Sequence, residues 1–346
     1  MSVFAVIAVA GIAGFAVTGV LGFSLIPWLG KLEFGQEFVL FEEKRKTIKQ
    51  AAPSMGGIML AVGTVTAVVL AVLTDKIAGG DIAASGSLVG QEMYTKLWSG
   101  LLTALSFSLV GFIDDYFKIK TRQNLGLTVK QKTVMQFFVI LAYLTALYMG
   151  MNGKPYMFIP FIGNIEPGFF YWITGILMIY AAINTVDISD GVDGLCGSLT
   201  FTAAVSLGLI AALKGLFGFS VMSAALAGSS IGFLLWNKNP AKVLTGKTGT
   251  MFLGGAVIAL SYAIGCPFIL LLSGLSYFVI GASDILQIIY YKKTGGKPLL
   301  KSAPVQHHLK LCGWSDKKIV LTFTLVNALG GAAAVAVMYF GGYVFR

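Results

Sequence analysis

Charged residues are scarce in this chain: only 12% of the residues are Asp, Glu, Lys or Arg, and 56% are hydrophobic. Together with a mean hydropathy of +0.82, this composition excludes an ordinary soluble domain. Cysteine is also rare. The three cysteines are scattered and include no C-x-x-C pair, so we expect neither a disulfide framework nor a cysteine zinc site. The sequence also lacks a hydrophilic stretch long enough for a second domain, and we expect residues 1–346 to form a single integral-membrane domain.

Long apolar segments make up most of the sequence. Several run for 16 or more residues without a charge, which is typical of transmembrane helices. Because these runs are continuous and do not alternate, helices are favoured over a membrane β-barrel. We predict an all-α polytopic membrane protein with about ten transmembrane helices. They are centred on residues 3–29, 54–73, 97–113, 133–151, 168–183, 197–213, 215–236, 249–266, 267–290 and 319–341.

Basic residues mark one side of this predicted bundle. Of the 25 Lys and Arg residues, 20 lie in every second connection. Such a bias places these connections in the cytoplasm and, with ten helices, both termini outside. The first segment has no positive n-region and is therefore predicted to be a retained helix, not a signal peptide. The five cytoplasmic loops are 31–52, 114–132, 184–196, 237–248 and 291–318.

The outward connection at residues 152–168 has a different pattern. It alternates aromatic and β-branched residues around Gly163-Asn164, which predicts a short external β-hairpin.

The net charge of +10 belongs to the cytoplasmic face. Topology and attraction to anionic lipid headgroups account for most of these cations. Nucleic acid is not an expected partner, because no basic amphipathic helix or aromatic-interleaved module is present.

Two adjacent acids, Asp114 and Asp115, lie where an apolar helix ends. They could simply mark the water interface. However, neighbouring carboxylates repel each other and a helix C-terminus disfavours negative charge, so cations must stabilise them. The nearby candidates are Lys118, Lys130 and Lys132.

The loop sequence NTVDISDGVDGL carries a second acidic cluster. Asn184, Asp187, Asp190 and Asp193 are spaced by three, which could place their oxygens on roughly one face of a helical turn. The Asp-Gly steps indicate backbone close to a ligand. An EF-hand is excluded, because the alternating oxygen ligands and the final glutamate are missing. Two acidic clusters beside a lysine-rich rim predict a site for a metal and a diphosphate.

The loop NKNPAKVLTGKTGT contains glycines interleaved with Lys242 and Lys247. A P-loop is excluded, since Ala241 occupies the position of its first glycine. The weaker prediction is that these glycines and cations receive phosphate at a helix N-terminus.

His307 and His308 are the only histidines in the sequence, and they are adjacent in the last cytoplasmic loop. This placement favours an active-site role.

Five stretches together resemble the bacterial phospho-MurNAc-pentapeptide translocases, a branch of the polyprenyl-phosphate N-acetylhexosamine-1-phosphate transferases. The stretches are PSMGG (53–57), GFIDDYFK (111–118), NTVDISDGVDGL (184–195), NKNPAKVLTGKTG (237–249) and APVQHHLK (303–310). The resemblance covers essentially the whole chain. It implies transfer of phospho-MurNAc-pentapeptide from UDP-MurNAc-pentapeptide to undecaprenyl phosphate, giving lipid I and UMP with Mg²⁺. It also implies an active site on the cytoplasmic face of a bacterial plasma membrane.

The resemblance implies roles for individual residues. Asp114 and Asp115 match the pair of which one deprotonates the lipid phosphate. Asp190 matches a nucleophile or an organiser of the metal site, and His307 and His308 belong to the catalytic set. The implied substrate-binding residues are Lys49, Ser54, Lys118, Lys130, Asn184, Asp193, Asn237, Leu244 and Lys247.

Several positions depart from the family pattern. Lys247 replaces an aspartate that binds Mg²⁺, and Asp187 replaces an asparagine. Because an ammonium reverses the local charge, Mg²⁺ affinity should fall steeply unless Asp187 joins Asp190 as a ligand. The other departures are Leu244 for a phenylalanine that stacks on uracil, Gln306 for a histidine and Lys310 for an acid.

Several alternatives follow. In one, Lys247 neutralises the diphosphate while Asp187 supplies a relocated carboxylate; in another, the chain is a weakened paralogue that still binds nucleotide. A related transferase for another lipid-linked sugar is a third. An anion transporter is disfavoured, because almost all charge lies at one face. The expected partners are UDP-MurNAc-pentapeptide, undecaprenyl phosphate and membrane lipids, with a homodimer as the candidate assembly.

Overall fold

The computed structural model describes residues 1–32, 52–84, 90–121 and 126–343. Within these ranges the chain is mostly helical, which confirms the prediction of an all-α polytopic protein. The helices are α1 (Val3–Leu32), α2 (Gly57–Ile77), α3 (Gly90–Thr121), α4 (Val129–Gly150), α5 (Phe170–Ile188), α6 (Leu195–Leu213), α7 (Phe217–Asn237), α8 (Gly246–Ala263), α9 (Leu270–Ser273), α10 (Leu275–Lys293), α11 (Val305–Leu311) and α12 (Asp316–Phe340).

Eight of the described helices are long and apolar enough to cross a membrane, namely α1 to α7 and α12. The predicted span at 267–290 is broken: the helical pair Pro267–Ser273 and Leu275–Lys293 is bent by 86°. The eighth predicted span, at 249–266, coincides with α8, whose first turn is polar because it contains Lys247 and Thr248. The protein is therefore a multi-pass membrane protein.

Helix α8 lies inside the bundle and is buried from Thr248 to Ala263. Glycines allow its first turn to approach two neighbouring helices. A Cβ on Gly57 of α2 would lie 2.0 Å from the Gly249 backbone nitrogen, and one on Gly111 of α3 would lie 2.1 Å from the Lys247 carbonyl oxygen. Small residues at such crossings permit direct backbone packing between membrane helices. This packing fixes the start of α8 between the ends of α2 and α3.

The predicted hairpin is present between α4 and α5. Strands β1 (Met157–Ile159) and β2 (Gly163–Ile165) pair antiparallel, with Phe158 opposite Asn164. The Phe158 ring is buried against Tyr343, with ring centroids 5.0 Å apart. This contact anchors the hairpin to the chain segment that follows α12.

Candidate active site

The PSMGG stretch meets the stretch that precedes α8. The Leu244 N–H donates to the Pro53 carbonyl oxygen at 2.8 Å, and the Gly56 N–H donates to the Leu244 carbonyl oxygen at 2.9 Å. Ser54 and Leu244, two predicted substrate-binding residues, are therefore brought to one place, and both are partly exposed.

Asp115 caps the first turn of α8. Its carboxylate accepts hydrogen bonds from the Lys247 backbone N–H at 3.1 Å, the Thr248 backbone N–H at 2.9 Å and the Thr248 hydroxyl at 2.8 Å. A negative charge stabilises a helix N-terminus, whose first N–H groups have no partner within the helix. Because Asp115 already occupies the backbone N–H groups of Lys247 and Thr248, these two groups are not open to a phosphate in this structure. That the glycines and cations of this loop receive phosphate stays a prediction.

Asp114 is engaged by its own neighbourhood. Its carboxylate forms an ion pair with Lys118 one turn further along α3 and accepts a hydrogen bond from the Leu127 N–H at 2.8 Å. Lys118 also lies 3.6 Å from Asp115. Lys118 thus supplies the cation that two adjacent carboxylates were predicted to need.

Asp187, in the last turn of α5, lies between two lysines. Lys247 Nζ approaches its two oxygens at 2.9 and 2.8 Å, and Lys132 Nζ approaches one of them at 2.8 Å. The Thr250 hydroxyl donates to the other oxygen at 2.6 Å. Both carboxylate oxygens are therefore bound by cationic or hydroxyl donors.

Asp190 and Asp193 lie in the turn between α5 and α6, because α5 ends at Ile188. The prediction that they share a helical face with Asp187 is therefore wrong. Asp190 accepts a hydrogen bond from the Thr245 hydroxyl at 2.8 Å. Loss of hydration raises the pKa of Asp190 to about 7, although the Thr245 hydrogen bond opposes this change.

Asp193 and Asn237 hold this turn against the loop before α8. Asp193 accepts a hydrogen bond from the Ala241 N–H at 3.1 Å. The buried Asn237 amide accepts from the Gly194 N–H at 3.0 Å and donates to the Val243 carbonyl oxygen at 2.9 Å. In this structure both predicted substrate-binding residues form hydrogen bonds to backbone groups of the site.

Asn184 lies one turn before Asp187 on α5 and is partly exposed. Its amide donates to the Tyr180 carbonyl oxygen at 2.8 Å. The amide is thus bound to its own helix in this structure, and its substrate-binding role stays a prediction.

His307 lies beside the Asp-Gly turn. A Cβ on Gly191 would be only 2.7 Å from His307 Nε2, so the absence of a side chain at Gly191 makes room for the imidazole. The Gln306 amide donates to the Ile188 carbonyl oxygen at 3.1 Å and ties α11 to the end of α5. Burial lowers the pKa of His307, and the neighbouring charge of Lys310 lowers it further.

The His308 side chain contacts the loop that precedes α11. Its Nδ1 accepts a hydrogen bond from the Lys301 N–H at 3.0 Å. The structure therefore separates the two adjacent histidines, with His307 at the site and His308 in a loop-stabilising position.

The roles of the other two predicted substrate-binding lysines, Lys49 and Lys130, stay predictions. Lys49 lies outside the described residues. Lys130 is exposed on the first turn of α4, between Thr128 and Gln131, the two residues that form the capping box.

Sequence reasoning missed three threonines. The hydroxyls of Thr245, Thr248 and Thr250 each donate to a different aspartate of the cluster. The alternation of threonine and glycine in TGKTGT was a usable signal, because hydroxyl side chains are favoured at helix starts.

The carboxylates do not fit the magnesium site that the family resemblance implies. Mg²⁺ requires near-octahedral oxygen coordination. Both oxygens of Asp187 hold other donors, two of them ammonium groups, and the oxygens of Asp115 hold the start of α8. In the described ranges, no group of three or more His, Cys, Asp or Glu residues could hold a metal ion. The expectation that Asp187 joins Asp190 as a metal ligand is therefore not supported, because both Asp187 oxygens are already occupied.

Comparison with known proteins gives the family. The model of glycosyl transferase family 4 matches residues 97–265. A protein of Listeria innocua serovar 6a named phospho-N-acetylmuramoyl-pentapeptide-transferase is 34% identical to this chain over 343 residues. The matched stretch covers 98% of this chain and 100% of the relative. The chain belongs to the phospho-N-acetylmuramoyl-pentapeptide-transferase family. A relative of the same name from Bacillus cereus (strain AH187) is 35% identical over 337 residues, 96% of each chain.

Membership of the phospho-N-acetylmuramoyl-pentapeptide-transferase family makes the protein a transferase. The matched range 97–265 includes the aspartates of α3, α5 and the Asp-Gly turn, and it includes Lys247. The acidic and basic cluster therefore lies within the part of the chain that the family model describes.

Proposed function

We propose that this protein transfers phospho-MurNAc-pentapeptide from UDP-MurNAc-pentapeptide to undecaprenyl phosphate, forming lipid I and UMP for peptidoglycan synthesis. Relatives that carry this activity in their names match nearly the full length of the chain. The observation that carries the proposal is the convergence of Asp187, Asp190 and Lys247 at the start of α8. This cluster provides cations for a diphosphate and one lightly bound carboxylate within a single site.

The location of the cluster suits two substrates of opposite solubility. The nucleotide is soluble and highly charged, whereas the lipid phosphate stays in the membrane. The cluster lies at the ends of spanning helices α3 and α5 and at the start of α8, where both can meet. We assign this end to the cytoplasmic face of a bacterial plasma membrane, because the lysine-rich connections lie there.

The chemistry requires two anions to approach each other. An oxygen of the lipid phosphate attacks the phosphorus attached to the sugar, a new P–O bond forms, and the P–O bond to UMP breaks. UMP leaves with the electron pair. Lys118, Lys132 and Lys247 provide the positive charge that aligns the anions and stabilises the departing UMP.

Asp190 is our candidate for direct contact with the reacting groups. Asp114, Asp115 and Asp187 are each bound by lysine or backbone donors, whereas among the described residues Asp190 accepts one hydrogen bond, from Thr245. We assign Asp190 the role of accepting a proton from the lipid phosphate or contacting the phosphoryl group, with His307 beside it.

A transfer assay with the purified full chain in detergent tests this proposal. Radiolabelled UDP-MurNAc-pentapeptide and undecaprenyl phosphate should give a labelled lipid and an equal amount of UMP, and UDP-GlcNAc should give neither. Turnover of UDP-GlcNAc instead would identify a related transferase, and nucleotide binding without UMP release would identify a weakened paralogue. Product formed in detergent also dismisses a transporter, since no gradient exists there.

Two further proposals concern assembly. We propose that residues 1–346 act as one membrane domain, and we retain the homodimer as the predicted assembly. The molar mass of the protein–detergent complex, corrected for bound detergent, distinguishes a dimer from the 36.7 kDa monomer.

A further inference from the structure

We propose that the Lys247 ammonium, positioned by Asp187, supplies the cation for the substrate diphosphate, so that transfer proceeds without a divalent metal. This inference rests on the proposed function and deepens it. Mg²⁺ is usually held by one or two carboxylates together with substrate phosphates. Here both oxygens of Asp187 are already bound by lysine and threonine donors.

The charge around Asp187 is already balanced by lysines. Lys247 contacts both carboxylate oxygens and Lys132 contacts one of them. A divalent ion at Asp187 would displace these ammonium groups and would then lie beside two positive charges, which repel it. Asp187 is therefore suited to hold lysines rather than a metal.

Lys247 remains accessible to a ligand. Its side chain is 36% exposed, compared with 18% for Lys132 and 7% for Asp187. An ammonium carries three N–H donors, and the two oxygens of Asp187 use two of them. The remaining donor can reach a phosphate oxygen while Asp187 holds the ammonium in place.

The backbone N–H groups at the start of α8 could bind an anion instead of the Lys247 side chain, but Asp115 prevents this. Its carboxylate occupies the backbone N–H groups of Lys247 and Thr248. The positive group that this turn presents outward is the Lys247 side chain. In the transfer, one P–O bond forms to the lipid phosphate and one P–O bond breaks to release UMP, so no metal is needed to supply or accept electrons. Lys247 only neutralises the negative charge of the diphosphate.

Chelation of divalent ions gives the direct test in the purified full chain with undecaprenyl phosphate and UDP-MurNAc-pentapeptide. Wild-type protein should transfer at rates within about twofold in EDTA and in Mg²⁺. Lys247→Gln, which retains a polar side chain, should lower the rate about 100-fold in both conditions, as loss of one group that stabilises developing charge does. Lys317→Gln, an exposed lysine at the start of α12, is the matched control and should transfer like wild type.

A charge exchange provides a second readout that does not depend on turnover. In the double variant Asp187→Asn with Lys247→Asp, electron paramagnetic resonance should detect one bound Mn²⁺ ion. Transfer by this variant should require a divalent metal. The wild-type site should bind none. Loss of wild-type transfer in EDTA with recovery in Mg²⁺, or Mn²⁺ bound at the wild-type site, overturns the inference.

Failure of the proposed function is distinguishable from failure of this inference. If wild-type protein forms no product with or without Mg²⁺, the proposed function is wrong. Calorimetric binding of UDP-MurNAc-pentapeptide in EDTA then decides the role of Lys247. Lys247→Gln should bind about 10- to 100-fold more weakly than wild type, the range for one charged hydrogen bond. Equal affinity contradicts the inference.

Discussion

The Lys247 ammonium lies 2.9 and 2.8 Å from the two carboxylate oxygens of Asp187, 60 positions earlier in the sequence. Lys132 shares the same carboxylate at 2.8 Å. One aspartate thus joins α4, α5 and α8 and holds two cations near each other. The arrangement has consequences for stability as well as for chemistry.

Asp187→Asn should destabilise the protein, because Lys132 and Lys247 would then repel each other without a compensating anion. We expect a loss of about 2 kcal/mol, less than for a fully buried pair because both lysines are partly exposed. Chemical denaturation in detergent measures the change. Asp316→Asn, which removes the partner of the exposed Lys310, is the control and should cost less than about 1 kcal/mol. Equal effects of the two substitutions would contradict the structural role of Asp187.

Asp115→Asn should loosen the start of α8. The aspartate accepts two backbone and one hydroxyl hydrogen bond there, and an amide would present N–H groups toward some of these donors. We expect a loss of about 2 to 3 kcal/mol, typical of a buried group deprived of its charged hydrogen bonds. Hydrogen exchange should show faster exchange at Lys247 and Thr248. Unchanged exchange at these amides would show that Asp115 does not cap the helix.

His307→Ala and His308→Ala should differ in effect. His307 lies against Gly191, next to Asp190, whereas His308 accepts a hydrogen bond from Lys301. We expect His307→Ala to lower kcat about 100-fold, the lower range for loss of a general acid or base. His308→Ala should leave kcat within a few-fold. Equal losses of kcat, or a larger loss for His308→Ala, would contradict this assignment.

Gly57→Ala should separate α2 from α8. A Cβ at Gly57 would lie 2.0 Å from the Gly249 backbone nitrogen, a contact that only backbone movement can relieve. Overpacking of this kind costs about 1 to 3 kcal/mol, and the loss should appear as a lower Tm in detergent. Gly30→Ala is the matched control, because this glycine of α1 has nothing within 4 Å of its Cβ position. Its Tm should stay equal or rise.

Most of the fold was predictable because lipid imposes a simple pattern. Each uncharged run became helix, and the alternating segment around Gly163 became the hairpin. The 86° bend between α9 and α10 was not predicted, since the apolar run 267–290 continues through it. Hydropathy reports burial in lipid, and it does not report that the helix changes direction at Gly274.

The composition of the site was predictable, but its pairings were not. The sequence predicted acids and lysines on one face, and it matched an unusual lysine at 247 to an unusual aspartate at 187. It did not predict that Asp115 caps a helix more than a hundred residues away, nor that Lys132 shares Asp187. Such contacts depend on helix packing, which residue spacing alone does not encode.

The most direct test of the account is a cryo-electron microscopy structure with UDP-MurNAc-pentapeptide bound and Mg²⁺ present. We predict that Lys247 Nζ lies about 2.8 Å from a diphosphate oxygen, the usual length of a charged hydrogen bond, while still touching Asp187. A metal ion coordinated by Asp187 and the diphosphate, with Lys247 turned away, would contradict the account.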